Sequence, residues 1–145
     1  MPRSPDPDRE PDEERRPCIE LSAGEARYLL AISDLARSGT QPSQAALARR
    51  LGVAPPTALQ MIRRLRQLGL LAPGSMRLTA TGTSAALVLT ARRRAAHVLA
   101  HDVLGLDEEE AEAEAERLAS SVSPKLGRRL VAWRAADRSP RRPPA

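Results

Sequence analysis

A chain of 145 residues allows one or two small domains, and with aromatic side chains at 1% any core has to be built from Leu, Ala, Val and Ile. The 23 Lys and Arg against 18 Asp and Glu leave a formal net charge of +5, carried almost wholly by arginine, which suits a nucleic-acid partner. Cys18 has no second cysteine to pair with, and neither a signal-like start nor a bilayer-length apolar run is present, so a cytoplasmic protein without a membrane partner is expected.

Residues 1–18 are Pro, Asp, Glu and Arg with almost nothing to bury and read as a disordered tail. Ser22 and Glu25 have the spacing of a capping box. The helix they open runs to about Arg37, with Tyr28, Leu29, Ile32, Leu35 and Ala36 along one face and Gly39 as its stop. The stretch from Gln44 to Leu70 then reads as two short helices joined by a tight turn. Ala45, Leu47, Ala48 and Leu51 give the first an apolar face, Gly52-Val53-Ala54 breaks it, and Pro55-Pro56 opens the second, where a missing N–H costs nothing. Ile62, Leu65 and Leu68 form its inward stripe, while Thr57, Gln60, Arg63, Arg64 and Arg66 lie at or around the other faces. This is the pattern of a helix-turn-helix. Its second helix suits a major groove, with Thr57 and Gln60 reaching base edges and Arg50, Arg63, Arg64 and Arg77 reaching phosphates. The alternative on this stretch alone is a structural helix pair with solvated arginines.

Leu70-Leu71 and Met76-Arg77-Leu78 around Pro73-Gly74 predict a small hairpin, the wing of a winged helix. From Glu25 to Arg77 the acids are Glu25 and Asp34 alone, so the positive charge sits on the module that would meet DNA. Thr79 is expected to cap a long helix to about Leu104, despite Gly82 near its start. Leu87 to Leu89, Ala91, Ala95, Val98, Leu99 and Val103 give it more apolar surface than one domain face needs, part of it for another subunit. Asp107 and Glu110 form a second capping box, Ala111, Ala115, Leu118 and Val122 a buried stripe, and Ser123-Pro124 caps a last helix with Leu126, Leu130, Val131 and Trp133. Residues 137–145 read as a second disordered tail. The expected fold is mainly α: a winged helix-turn-helix domain over residues 19–81, then a helical dimerisation domain over residues 82–136.

Tyr28-Leu29-x-x-Ile32, the helix-turn-helix, the LTxxG of Leu78 to Gly82 and the DVLGLDEEEAEAEAERL stretch from Asp102 together resemble the diphtheria-toxin-repressor-type family of iron- and manganese-dependent regulators. The resemblance implies a winged helix, a helical dimerisation domain, and a divalent metal that docks the first helix so that the dimer fits a palindromic operator. It also sets Pro56, Thr57 and Gln60 where the recognition helix approaches bases. Ligand positions carried over from the family fall on Arg27, Arg93, His97, Glu112, Glu116, Ala119 and Ser120. Arginine stays protonated and has no lone pair to offer, and alanine has no donor atom. His97, Glu112 and Glu116 remain as a candidate weak site for Mn, Fe or Zn, with His101 as a possible extra donor; the competing reading is a packed histidine beside solvated glutamates. Arg93 or Arg27 could instead supply the metal's positive charge by pairing with Glu116 or Glu112.

The function this predicts is a sequence-specific transcriptional repressor, acting as a homodimer on double-stranded DNA with a palindromic operator, and with reduced or no metal dependence. Two alternatives stay open: a metal-responsive repressor using His97, Glu112 and Glu116, and a helical protein-interaction module without DNA binding. Enzyme chemistry is not expected, because no nucleophile–base pair, glycine-rich phosphate loop or paired metal-ligand motif is present.

Overall fold

The computed structural model describes residues 20–137. The two expected tails and Cys18 lie outside these residues, except for Asp137, which closes the last helix. Local signals set the helix ends. Helix α1, Ala23–Arg37, starts at the expected box, Ser22 Oγ accepting from the Glu25 amide while Glu25 accepts from the Ser22 amide. Helix α2, Gln44–Leu51, is capped by Ser43 and closed by Gly52 in the left-handed region (φ 63°), a conformation that costs glycine nothing. Helix α3, Pro55–Gln67, begins on its two prolines. Gln44 Nε2 donates to the Pro55 carbonyl at 3.0 Å, tying the start of α2 to the start of α3.

The predicted hairpin is present in reduced form, as one antiparallel bridge between Leu71 and Leu78. The Ala72 amide donates to the Arg77 carbonyl at 2.8 Å and the Thr79 amide to the Leu70 carbonyl at 3.1 Å. Helix α3 ends at Gln67 and the next helix starts at Ala80, which leaves little extended backbone on either side of the Pro73-Gly74 turn to pair. Arg66 Nε and Nη2 both donate to the Ser75 carbonyl, which holds the hairpin against α3.

Thr79 caps helix α4, Ala80–His97. The expected single helix to Leu104 is continuous in path but changes winding, because Val98–Val103 is π-helical. Helix α5, Glu108–Leu118, starts at the Asp107/Glu110 box, and α6 spans Pro124–Asp137. Two cores result. The first joins Leu29, Ile32, Leu47, Ile62, Leu65, Leu70 and Leu71 to Ala86 and Leu89 of α4. The second is smaller and Ala-rich: Ala95, Ala96, Val98, Ala115, Val122 and Leu130. Helix α4 therefore serves as a spine, its first half closing one core and its second half the other.

Candidate nucleic-acid interface and interdomain contact

The outward face of α3 carries Pro56, Thr57, Gln60, Arg63 and Arg64, all exposed, while Ala58, Ile62 and Leu65 seal its back. Arg63 and Arg77 make no ion pair or side-chain hydrogen bond among the described residues. Arg64 is placed differently from a free phosphate ligand. Its Nε donates to Glu25 Oε1 at 2.9 Å, fastening α3 to the first turn of α1, with the arginine side chain still 53% exposed. The bond from the Ser22 amide and the Arg64 guanidinium, against some burial, hold the Glu25 carboxyl below the usual carboxylate range.

Asp34 is the second acid of the basic module and its most heavily used one. Arg93 of α4 donates to it bidentately, Nη1 to Oδ2 at 2.8 Å and Nη2 to Oδ1 at 3.1 Å, with both side chains 13% exposed. Arg50 of α2 donates to the same Oδ2 at 3.1 Å, and Arg37 lies 3.7 Å from Oδ1. Burial works to raise the Asp34 carboxyl. The two hydrogen bonds from Arg93 and the charges of Arg93, Arg50 and Arg37 outweigh it and leave the group below its ordinary value. Both acids of the module are thus neutralised internally by arginines.

The ion pairing expected of Arg93 and Arg27 with Glu116 or Glu112 is not what forms. Arg93 points to α1 and bonds Asp34, while Glu112 and Glu116 act on it only through their charge. Arg27 Nη2 donates to the Leu51 carbonyl at 3.2 Å, at the end of α2, where carbonyls lack helical partners. The candidate metal set also separates. His97 Nε2 lies 3.1 Å from Glu108 Oε1 and its ring stacks on His101, centroids 5.5 Å apart. His101 Nδ1 lies 2.8 Å from Asp102. Glu108, in the first turn of α5, thus takes the place beside His97 that Glu112 and Glu116 were expected to fill. Among the described residues no three His, Cys, Asp or Glu side chains are grouped to hold a metal ion.

Among the described residues, large apolar side chains left in water are confined to the second half: Leu87 and Val88 on α4, Val103 and Leu104 at the end of the π-helical segment, and Leu126, Val131 and Trp133 on α6. Of the apolar residues assigned to the last helix, Leu130 alone is buried. No helix among the described residues is long and apolar enough to cross a membrane.

Two adjoining family models match this chain. Residues 20–73 match the N-terminal DNA-binding domain of iron-dependent repressors, and residues 79–134 match their metal-binding and dimerisation domain. The chain belongs to the iron-dependent repressor family. The iron-dependent repressor IdeR of Mycobacterium tuberculosis is 38% identical over 107 residues, which cover 72% of this chain and 46% of IdeR. The diphtheria toxin repressor of Corynebacterium diphtheriae is 34% identical over 107 residues, 72% of this chain and 47% of its own. The chain spans about half the length of the curated relatives it matches. Among solved structures, a manganese-dependent transcriptional repressor in complex with manganese superposes with a TM-score of 0.65 at 34% identity, over 74% of this chain and 51% of that one. The manganese regulator SloR reaches a TM-score of 0.69 at 24% identity over 79% and 55%, a likeness of fold.

For a member of this family, the chain has an unusual donor set. Guanidinium groups stand at two of the positions that the resemblance gives to ligands, Arg27 and Arg93, and a methyl group at a third, Ala119. None can donate a lone pair. With His97 drawn to Glu108 and Arg93 set against Asp34, the residues present do not fit a resident divalent cation. Sequence reasoning missed Asp34, Glu108 and the internal bond of Arg64. The scarcity of acids in the basic module was the available signal for Asp34.

Proposed function

We propose that this protein is a transcriptional repressor that binds a palindromic operator as a homodimer and needs no metal ion to do so. It acts by binding rather than by catalysis, in the cytoplasm. The observation that carries the reading is the face of α3, where Thr57, Gln60 and Arg63 stand exposed on a helix whose back is buried. Both acids between Glu25 and Arg77 are paired with arginines, which offsets their charge toward a phosphate backbone. Thr57 and Gln60 are assigned to base edges. Arg63 and Arg77, with the exposed parts of Arg50 and Arg64, are assigned to phosphates. Metal independence is supported by the Arg93–Asp34 pair, which joins α1 to α4 without an ion. Homodimer formation is supported by the apolar side chains exposed on the second half.

The test is to select bound duplexes from genomic fragments with chelator-treated protein, then to measure variants on the selected site. Gln60→Ala is expected to relax preference at one base pair per half-site, by about 1–3 kcal/mol. Arg63→Ala is expected to weaken every sequence alike and to lower the salt slope by about one unit per lost phosphate contact. Equal effects of both changes on all sequences contradict the assignment of Gln60, and binding that appears only when metal is added contradicts metal independence.

A further inference from the structure

A carboxylate close to a face that meets phosphates opposes binding through its charge, unless it acts through a cation in front of it. Glu25 has that placement. Its side chain, in the first turn of α1, is 12% exposed, whereas the Arg64 side chain whose Nε it accepts at 2.9 Å is 53% exposed. The acid lies behind and the arginine reaches out. Among the described residues Nε is the side-chain nitrogen of Arg64 that is bonded, which leaves the edge made by the two terminal nitrogens for an outside acceptor. Arg64 also belongs to the stripe of α3 assigned to DNA, because Thr57, Gln60 and Arg64 follow one another at i, i+3 and i+7. The first turn of α1 meets α3 a second time at Gly24, where Met61 Cε lies 3.6 Å from the place a Cβ would take. The other end of the stripe is held separately, by the bond from Gln44 to the Pro55 carbonyl.

An ion pair with one partner half in water contributes little to folding. Its effect on binding is of another kind, since a long side chain fixed beforehand loses less freedom when it takes a phosphate. We infer that Glu25 is a positioning residue for DNA, holding the Arg64 guanidinium in the orientation that meets a phosphate and so raising affinity despite its own negative charge. The inference rests on the DNA-binding reading above and deepens it with a residue that itself touches no DNA. Asp34 repeats the arrangement toward Arg50, but shares its charge with Arg93 and Arg37. Among the described residues Glu25 pairs with Arg64 alone, so the effect is separable there. Two simpler roles predict otherwise. A bare charge would repel DNA whatever stands at position 64, and a strut for the fold would cost the same with Arg64 or without it.

The experiment is a double-mutant cycle on the full chain. The unmodified protein, Glu25→Gln, Arg64→Ala and the double variant are compared for affinity to the duplex the unmodified protein selects from genomic fragments, well below each protein's melting temperature. Glutamine is accepted at the third position of a capping box, so the start of α1 is kept. Glu25→Gln is expected to weaken binding about twofold to tenfold, the usual cost of immobilising one long side chain. In the Arg64→Ala background it is expected to leave affinity unchanged or to raise it, since only repulsion is then removed. Stronger or unchanged binding by Glu25→Gln alone, or the same weakening in both backgrounds, overturns the inference while the DNA-binding reading stands. If the unmodified protein selects no duplex, that reading fails and this inference with it. If Glu25→Gln does not fold, Glu25→Asp takes its place in the cycle; it keeps the charge, draws the acceptor back by one methylene, and is expected to weaken binding only while Arg64 is present.

Discussion

Gly82 has no room for a side chain. A Cβ built there would lie 2.0 Å from the Leu70 carbonyl oxygen and 2.9 Å from its carbon, so the first turn of α4 rests directly on the backbone that leaves α3. In sequence the residue looks like a defect, since a glycine inside a helix costs roughly 1 kcal/mol relative to alanine. The packing reverses that sign. Gly82→Ala is expected to lower stability by about 1–3 kcal/mol, the usual cost of forcing atoms into a filled space, read as a fall in the denaturation midpoint. A raised midpoint would mean that the Leu70 backbone yields easily. Other residues were legible to different depths. That Arg93 cannot ligate a metal follows from guanidinium chemistry alone. That its partner is Asp34 rather than Glu112 or Glu116 depends on how α1 is rotated against α4, which no local pattern encodes. The same holds for His97, whose carboxylate neighbour depends on where α5 begins relative to the end of α4.

Elements were most legible where their signals are local. Both capping boxes form as their spacing demands, the prolines open α3, and the inward stripe of Ile62 and Leu65 is buried. The wing was legible in kind and less so in extent, since turn chemistry fixes a reversal of the chain and leaves the number of paired residues free. The π-helical winding of Val98–Val103 was not legible, because a shift to i→i+5 bonding leaves the apolar spacing nearly unchanged. The docking of α1 has a consequence for pH. Glu25 and Asp34 have carboxyls held below their ordinary values in the folded state. A group depressed in this way stabilises fully above its unfolded value, and the contribution is lost as pH falls from there through the folded value. The chain is therefore expected to lose stability on acidification below the ordinary carboxylate range. Asp34→Asn is expected to be weaker at neutral pH, by up to about 3–5 kcal/mol, because Arg93 is left without its charge partner in a largely buried place. Its stability is also expected to fall less steeply with acid. Denaturation midpoints followed from neutral pH downwards give both quantities, and parallel curves for the two proteins would remove Asp34 as a source of the acid loss.

At the scale of the molecule, two thin cores share one spine, and among the described residues the large exposed apolar side chains all lie from Leu87 onward in the chain. Leu87 and Leu104 are 64% and 66% exposed. The part of the chain that matches a dimerisation domain is the part that carries them. A two-fold interface uses each such residue twice, and covering a leucine stabilises by about 1.5–3 kcal/mol. Combining Leu87→Glu with Leu104→Glu is therefore expected to shift sedimentation at micromolar concentration from dimer to monomer. The helix-turn-helix core contains neither residue and keeps its fold. Affinity for duplex DNA then separates the two roles of the proposed dimer. Contacts within one half-site persist in the monomer. The gain from linking two half-sites, which can reach about 10²–10⁴ in affinity, is lost. The variant is accordingly expected to bind a single half-site as the unmodified protein does, and to lose the unmodified protein's preference for the full palindrome over that half-site. If it remains dimeric with that preference intact, the two leucines face solvent or some other partner, and the dimer axis has to be sought at Leu126, Val131 and Trp133 of α6 instead.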